Sequence, residues 1–197
     1  MFQVRIHGRG GQGVVSAAEM LSVAAFDEGR FAQAFPSFGS ERMGAPVMAF
    51  CRIDDREIRL REPVMKPDAL IIQDPTLLHP VELCSGLSET GYILINSTRS
   101  FDELGIAEFV SQFPADHLCT VPASELAMKH VGRPLPNAAL LGGFAAISGQ
   151  ISFDAVAKAI LEKFPGKVGE ANVTAAREAY DSVLVAKNKE PVHAEAD

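Results

Sequence analysis

The chain has 197 residues, of which 47% are hydrophobic and 22% are charged, so it is long and apolar enough to bury the core of one large domain. Its formal net charge of −7, without any run of lysine or arginine, argues against nucleic acid as a partner, because phosphate binding depends on clustered basic side chains. No apolar stretch reaches about 18 residues and the first residues lead directly into a strand, so we expect a cytoplasmic protein without a signal peptide or membrane span.

The first predicted element is a strand over residues 2–6, which runs into the glycine-rich turn GRGGQG at residues 8–13 and then into an apolar-faced helix from Val14. This order aims the unpaired amides and the partial positive charge of a helix N-terminus at whatever lies above the strand. Glycines let the backbone turn tightly and approach a phosphate closely. The turn therefore predicts either a phosphate site or a point of close helix–sheet packing, and the sequence leaves both open.

A NAD site is disfavoured by the second predicted strand, residues 31–35. A dinucleotide site needs an acidic residue at the end of that strand for the ribose hydroxyls. Here the strand ends in Pro36, whereas Asp27 and Glu28 come earlier, at the end of the first helix.

A β-hairpin insertion is predicted after the loop over residues 36–46, with arms at residues 47–53 and 57–61. The second arm alternates apolar and charged residues, as expected of a strand with one solvated face. Further apolar strands are predicted at residues 68–74, 92–96 and 117–121. Together these elements predict an α/β fold with a mostly parallel, Rossmann-like sheet, in which polar residues follow two strands at the end where open sheets bind ligands.

The C-terminal portion is predicted to be helical, with helices over residues 138–147, 153–164 and 169–186 and possible N-caps at Asn137, Ser152 and Asn172. Gly142 and Gly143 fall inside the first of these helices, at a cost of about 1 kcal/mol each relative to alanine. They indicate that another backbone or a ligand passes close by. Residues 1–186 are therefore predicted to form a single α/β domain and residues 187–197 a flexible polar tail.

Several catalytic signatures are absent from the sequence. There is no G-x-S-x-G elbow, no H-E-x-x-H and no lysine at the end of the glycine turn. Cys51, Cys84 and Cys119 are far apart, without a C-x-x-C pair, and are predicted to be free thiols in a reducing compartment. His7 either orients a ligand group or is a packed core histidine. Taken alone, the chain is typical of an α/β binding module that forms part of a larger enzyme.

An ordered series of motifs resembles the gamma subunit of 2-oxoacid:acceptor oxidoreductases over nearly the whole chain. The series comprises residues 8–13 (GRGGQG), 33–39 (QAFPSFG), 41–42 (ER), 44–47 (GAPV), Phe50, 73–77 (QDPTL), 95–97 (INS) and 136–137 (PN), followed by the helix with the glycine pair. The GAPV form is most similar to the gamma subunits of pyruvate:ferredoxin oxidoreductases.

The resemblance implies a subunit of an enzyme that oxidatively decarboxylates pyruvate or another 2-oxo acid to an acyl-CoA, with an aryl acid such as phenylglyoxylate as the alternative substrate. Other subunits would bind thiamine diphosphate, magnesium and iron–sulfur clusters, and pass electrons to ferredoxin or another acceptor. This chain would be inactive alone and would pack on the thiamine-binding subunits, near the route that coenzyme A takes.

The resemblance also implies a shared coenzyme A site with three parts on this chain. They are Gly8, Arg9, Gly10, Gly11, Gln12 and Gly13 in the turn, Ser37, Glu41, Arg42 and Gly44 in the following loop, and Asn96 and Asn137 along the cleft. No catalytic residue and no metal ligand is expected on this chain. Two other classes remain open: a stand-alone Rossmann-like nucleotide-binding enzyme, and a purely structural interface subunit whose glycines serve packing only.

Overall fold

The computed structural model describes residues 1–37 and 43–189. Within these residues the strands are β1 (Phe2–Arg9), β2 (Phe31–Pro36), β3 (Pro46–Asp54), β4 (Ala69–Ile72), β5 (Tyr92–Asn96) and β6 (Leu118–Val121). The helices are α1 (Val14–Asp27), α2 (Pro80–Leu83), α3 (Ala107–Val110), α4 (Ala123–Val131), α5 (Asn137–Ser148), α6 (Phe153–Lys163) and α7 (Lys167–Lys189).

The strands form one sheet in the order β2-β3-β1-β4-β5-β6. The pairs β1–β4, β4–β5 and β5–β6 are parallel, whereas β3 runs antiparallel to both of its neighbours, β1 and β2. All the strands except β3 therefore point the same way. The predicted α/β class with a mostly parallel sheet is confirmed.

The hairpin joins different segments from those predicted. β2 and β3 form the antiparallel pair, with Phe31 opposite Asp54 and Pro36 opposite Ala49. The prediction of residues 57–61 as the second arm is wrong, because these residues form no strand. The reason is that β3 has β1 on one side and β2 on the other, so it has no free edge for a third strand. Leu60, an apolar residue of the alternating pattern, is 40% exposed.

The main core lies between one face of the sheet and the long helices. Val4 and Ile6 of β1 and Leu94 of β5 point to this face, and α1, α5, α6 and α7 cover it. The opposite face is covered over β4 and β5 by a smaller cluster around Ile72 and Ile93, with α3 packed against it. Alternate residues of each strand thus face different layers, which matters for the pockets described below.

Gly142 of the glycine pair in α5 marks the close approach of another backbone, as predicted. A Cβ on Gly142 would lie 2.0 Å from the carbonyl oxygen of Ala176 in α7. Ser152 caps α6 as predicted, because its hydroxyl accepts a hydrogen bond from the amide of Ala155 at 3.2 Å.

The last helix is longer than predicted at both ends, since α7 spans Lys167–Lys189. Asn172 therefore lies inside the helix, where its side chain donates to the Val168 carbonyl, and the prediction that it is a cap is wrong. Lys187 donates from Nζ to the Ile147 carbonyl at 3.0 Å, so the helix is still anchored where the tail was predicted to begin. The rest of the predicted tail, residues 190–197, lies outside the described residues. Within the described ranges, no helix is both long and apolar enough to cross a membrane.

Candidate functional site at the glycine turn

The glycine turn leaves the carboxyl end of β1, in the middle of the sheet, and leads into α1. At this edge β1 lies between β3 and β4. The carboxyl edge of an open α/β sheet is where ligands bind, because helix N-termini and loops meet there. The sequence prediction of a strand, a turn and a helix is confirmed in this order.

Two glycines of the turn are required by packing. A Cβ on Gly8 would lie 2.6 Å from Cγ2 of Val14. Gly13 has a φ of +75°, and its Cβ would lie 2.5 Å from Nδ2 of Asn137. These positions let α1 pack closely on the sheet and on the start of α5, so at Gly8 and Gly13 the packing interpretation holds.

Gly11 differs from both because it is exposed, and its φ is +95°. A Cβ there would meet the flexible end of Met43, whose Cε lies 2.9 Å away. Next to it, the Gly10 amide donates to the Ala45 carbonyl at 2.9 Å, and the Gly44 amide donates to the Gly10 carbonyl at 3.1 Å. The predicted loop residue Gly44 is thus brought to the turn, and Gly11 is the part of the turn open to solvent.

The carboxylate of Asp74, just after β4, holds the turn in place. Oδ1 accepts hydrogen bonds from the Thr76 amide at 2.9 Å and the Thr76 hydroxyl at 2.6 Å. Oδ2 accepts from Nε2 of Gln12 at 2.9 Å and Nε of Arg9 at 3.1 Å. Burial by itself would raise the pKa of Asp74, but the hydrogen bonds from Thr76 and Gln12 and the charge of Arg9 outweigh it and hold this pKa below its usual range.

Arg9 and Gln12 use their side chains within the protein. Oε1 of Gln12 accepts from the Arg9 amide at 2.8 Å, and the Gln12 amide donates to the Arg9 carbonyl at 3.1 Å. Arg9 also donates from Nη1 to the Gly44 carbonyl at 3.0 Å and from Nη2 to the Thr76 hydroxyl at 2.9 Å. Both side chains therefore fix the shape of the turn.

Asn96 ties the end of β5 to its neighbours. Its Nδ2 donates to the Gln73 carbonyl and to the Ser124 hydroxyl, both at 2.8 Å, and its Oδ1 accepts from the Ser124 amide at 3.0 Å. The side chain lines a cleft at the ends of β4, β5 and β6, and its amide is already occupied by these bonds.

Asn137 is the first residue of α5, so the prediction that it is the N-cap is wrong. The cap position is Pro136, and the helix starts one residue earlier than the sequence indicated. Asn137 is buried, and its Oδ1 accepts from the Ala138 amide at 2.9 Å. Because its amide nitrogen packs on the backbone of Gly13, it joins the starts of α1 and α5.

The other predicted loop residues are not brought to the turn in the same way. The Ser37 amide donates to the Met48 carbonyl at 2.9 Å, and Ser37 lines a separate pocket together with residues of β1 and β3. Glu41 and Arg42 lie outside the described residues.

A cleft of about 320 Å³ opens beside the turn, at the ends of β4, β5 and β6. Its polar lining consists of Gln12, Gln73, Asp74, Asn96, Ser97, Thr98, Arg99, Ser124 and Glu125. α1 begins directly after the turn, and α4 begins at the cleft wall. The partial positive charge of helix N-termini suits a negatively charged ligand group here.

Sequence reasoning did not select Gln73, Asp74 or Ser124 as site residues. Gln73 is fully buried under the turn, and neither atom of its side-chain amide has a hydrogen-bond partner among the residues that the structure describes. The position of Gln73 and Asp74 at the end of a strand was the available signal. Ser124 gives no such signal, because its link to Asn96 depends on the tertiary fold.

The described part of the chain contains no group of three histidine, cysteine or acidic side chains that could hold a metal ion. The cysteines are free thiols, as predicted. Cys51 and Cys119 are buried in β3 and β6, and Cys84 is half-buried just after α2.

The fold and the turn define an α/β protein with a glycine turn at the carboxyl edge of its sheet, and comparison with known proteins gives its family. Residues 3–182 match the family described as "Pyruvate ferredoxin/flavodoxin oxidoreductase". "Pyruvate synthase subunit PorC" of Methanocaldococcus jannaschii is 46% identical, over 93% of this chain and 98% of its own length. "Pyruvate/ketoisovalerate oxidoreductases common subunit gamma" of Thermococcus kodakarensis is 43% identical, over 94% of this chain and 98% of its own length.

A solved structure agrees with these relatives. The crystal structure of pyruvate oxidoreductase subunit PORC from Thermotoga maritima superposes with a TM-score of 0.77 and 36% identity, covering 91% of this chain and 95% of that one. The chain therefore belongs to the pyruvate ferredoxin/flavodoxin oxidoreductase family. It is a gamma subunit of a 2-oxoacid oxidoreductase, which confirms the resemblance seen in the sequence.

Proposed function

We propose that this chain helps to bind coenzyme A in an enzyme that oxidatively decarboxylates pyruvate or a related 2-oxo acid to an acyl-CoA. Partner subunits bind thiamine diphosphate with magnesium, and also the iron–sulfur clusters that pass electrons to ferredoxin or another acceptor. This chain packs on the thiamine-binding subunits, contributes no catalytic side chain and is inactive alone. Its membership of the family supports this division of labour.

The observation that carries the coenzyme A proposal is the conformation of Gly11. It is exposed in a turn that is fixed before it by the Gly10–Ala45 bond and after it by the Gln12–Asp74 bond. The turn leads directly into α1, whose first backbone amides have no acceptor within the helix. Coenzyme A is a nucleotide with several phosphate groups, and such a turn is suited to one of them.

The name of the Thermococcus relative supports a role shared by reactions on different acids. That protein is named as a subunit common to pyruvate and ketoisovalerate oxidoreductases. A subunit that both enzymes use should serve a step that the two reactions have in common. Both reactions form an acyl-CoA, so both use coenzyme A. For this chain we infer that the choice of 2-oxo acid is made on partner subunits.

The contribution of this chain to the reaction is positional. Binding energy from the nucleotide end of coenzyme A is used to hold the thiol end near the reacting carbon, which lies on another subunit. A turn that is already fixed by Asp74, Arg9 and Gln12 loses little conformational entropy when it binds a phosphate.

The test is a pair of matched variants, Gly11→Asp and Gly11→Asn, in the assembled enzyme. Both side chains have the same shape and meet the same positive φ, so the difference between them isolates charge. We expect Gly11→Asp to raise the KM for coenzyme A by at least about tenfold over Gly11→Asn, because a carboxylate would meet phosphate at close range. If the two variants have equal KM values and both assemble, the coenzyme A proposal is wrong and the purely structural alternative is favoured.

The subunit arrangement has its own test, which is anaerobic affinity purification through this chain from its native cell. We expect larger partner chains, a broad brown absorbance from iron–sulfur clusters and bound thiamine diphosphate. Recovery of this chain alone and colourless would contradict the proposed partners.

A further inference from the structure

A second pocket, of about 660 Å³, lies on the face of the sheet opposite the main core. Its floor is formed by β1 and β3, and its walls by residues 63–65 and 77–85. Pro46, Met48, Phe50, Val64, Leu77 and Leu83 give it a largely apolar lining. The volume is in the range of small-molecule sites, about 300–1,000 Å³.

Arg5 is buried in this pocket, and no carboxylate among residues 1–37 and 43–189 pairs with its guanidinium. The residue is 8% exposed, and Nη2 donates to the carbonyl oxygens of Leu83 and Ser85. Nε has no partner among the residues described. Burial lowers the pKa of the guanidinium, but arginine remains charged in proteins. The pocket therefore holds a buried positive charge whose hydrogen-bond acceptors, within the described ranges, are neutral carbonyl oxygens.

His7 lies two residues further along β1 and lines the same pocket. Its ring is buried, and Nε2 has no hydrogen-bond partner in the part of the chain that the structure describes. Burial, and then the charge of Arg5, lower the pKa of His7 to about 4. The ring is thus neutral at neutral pH and adds no second positive charge to the pocket. His79 and Glu82 also line the pocket and are exposed.

We propose that this pocket binds a small monocarboxylate with an apolar body. An unpaired buried guanidinium favours an anion, because a carboxylate would offset the cost of desolvating the cation. One positive charge matches one carboxylate, and the apolar lining matches a branched or aromatic body. Among the residues described, none lines both this pocket and the cleft at the glycine turn, so the inference does not depend on the coenzyme A proposal.

The first test is calorimetric titration of the full chain with 3-methylbutanoate and with phenylacetate. The control ligand is 3-methylbutanamide, which has the same shape as 3-methylbutanoate without its charge. We expect a carboxylate to bind with a Kd of about 1 mM or lower, and the amide to bind at least about tenfold more weakly. Equal binding of the acid and the amide, or no binding of either acid, would overturn the proposal.

Variants locate the site. Met48→Trp places a larger side chain in the pocket and should abolish binding, whereas Met43→Trp, at an exposed position outside the pocket, should leave it unchanged. Arg5→Gln should weaken carboxylate binding at least about tenfold and leave amide binding unchanged. Unchanged binding in Met48→Trp would place the ligand elsewhere and refute the proposal even if Arg5→Gln does not fold.

The assembled enzyme provides the last arm of the test. We expect it to bind the same carboxylates as the isolated chain. If the chain binds them and the assembled enzyme does not, a partner subunit covers the pocket, and the assignment as a small-molecule site is wrong.

Discussion

Asp74 joins the glycine turn to the end of β4 through Arg9, whose Nε lies 3.1 Å from Oδ2 of Asp74. The two residues are far apart in the sequence and meet because β1 and β4 are parallel neighbours. The same carboxylate also binds Gln12, so two side chains of the turn share one acceptor. The turn is therefore held in its shape by the protein itself.

Asp74→Asn tests this link. The substitution places an amide NH₂ where a carboxylate oxygen accepts bonds from donors such as Gln12 or Thr76, so we expect a loss of about 1–3 kcal/mol in the free energy of unfolding. Because the pKa of Asp74 is lowered, its stabilisation is present above the pKa of an unfolded aspartate and lost as the pH falls through the folded value. The difference in free energy of unfolding between wild type and Asp74→Asn, measured by urea unfolding, should therefore become smaller at acidic pH.

The control for Asp74→Asn is Asp55→Asn. The Asp55 side chain is 84% exposed in its ion pair with Arg30, so its removal should change stability by no more than about 0.5 kcal/mol. Equal effects of the two substitutions would refute a special role for Asp74.

Gly142→Ala tests the contact between α5 and α7. The new Cβ would lie 2.0 Å from the Ala176 carbonyl oxygen, so the helices must separate, and we expect a loss of at least about 2 kcal/mol. Gly143→Ala is the matched control, because its nearest neighbour is a side-chain methyl of Val121 at 3.2 Å. Alanine is more favourable than glycine in a helix by about 1 kcal/mol, which should offset the cost of this close contact. Thermal unfolding of the two variants would contradict the account if Gly143→Ala were the more damaging.

We expect the stability of the protein to depend on pH through His7. Its folded pKa of about 4 lies below the unfolded value, so the unfolded chain takes up a proton first as the pH falls. The stability conferred by the neutral ring is complete above about pH 6.5 and is lost towards pH 4, with a loss of about 2 kcal/mol by pH 5. Urea unfolding of His7→Met between these pH values should show a weaker pH dependence than wild type. An identical slope in both proteins would contradict the burial of this ring.

The thiols should react in a defined order. Burial raises the pKa of Cys51 and Cys119 to about 12 and that of Cys84 to about 11. Since the thiolate is the reactive form, we expect a maleimide to label Cys84 first in the native chain and all the thiols rapidly in urea. Mass spectrometry of the labelled peptides gives the order, and Cys51 reacting first would contradict the buried position of β3.

The sequence predicted the sheet class because the apolar strands and the glycine turn are local patterns. It failed at residues 57–61, where alternation indicates a strand but only the tertiary arrangement shows that both edges of β3 are taken. The ends of α5 and α7 were also missed, since Pro136 in the cap position and the anchoring of Lys187 on Ile147 are tertiary features.

At the site, the sequence located the turn correctly but did not show which of its residues pack inside the protein and which are exposed. Nothing local indicates that Gly13 packs on Asn137, or that Arg9 and Asp74 pair. These contacts join segments that are far apart in the chain. They separate the packing glycines from Gly11, the exposed position on which the coenzyme A proposal rests.

Hydrogen–deuterium exchange of the assembled enzyme, with and without coenzyme A, tests the central proposal most directly. We predict that saturating coenzyme A slows amide exchange in peptides that cover residues 8–17, the turn and the first turn of α1. Peptides from α6, which is joined to α1 at Glu19 and Asp27, outside residues 8–17, should exchange equally in both states. Unchanged exchange at residues 8–17, in the presence of coenzyme A that protects other parts of the enzyme, would contradict a coenzyme site at the glycine turn.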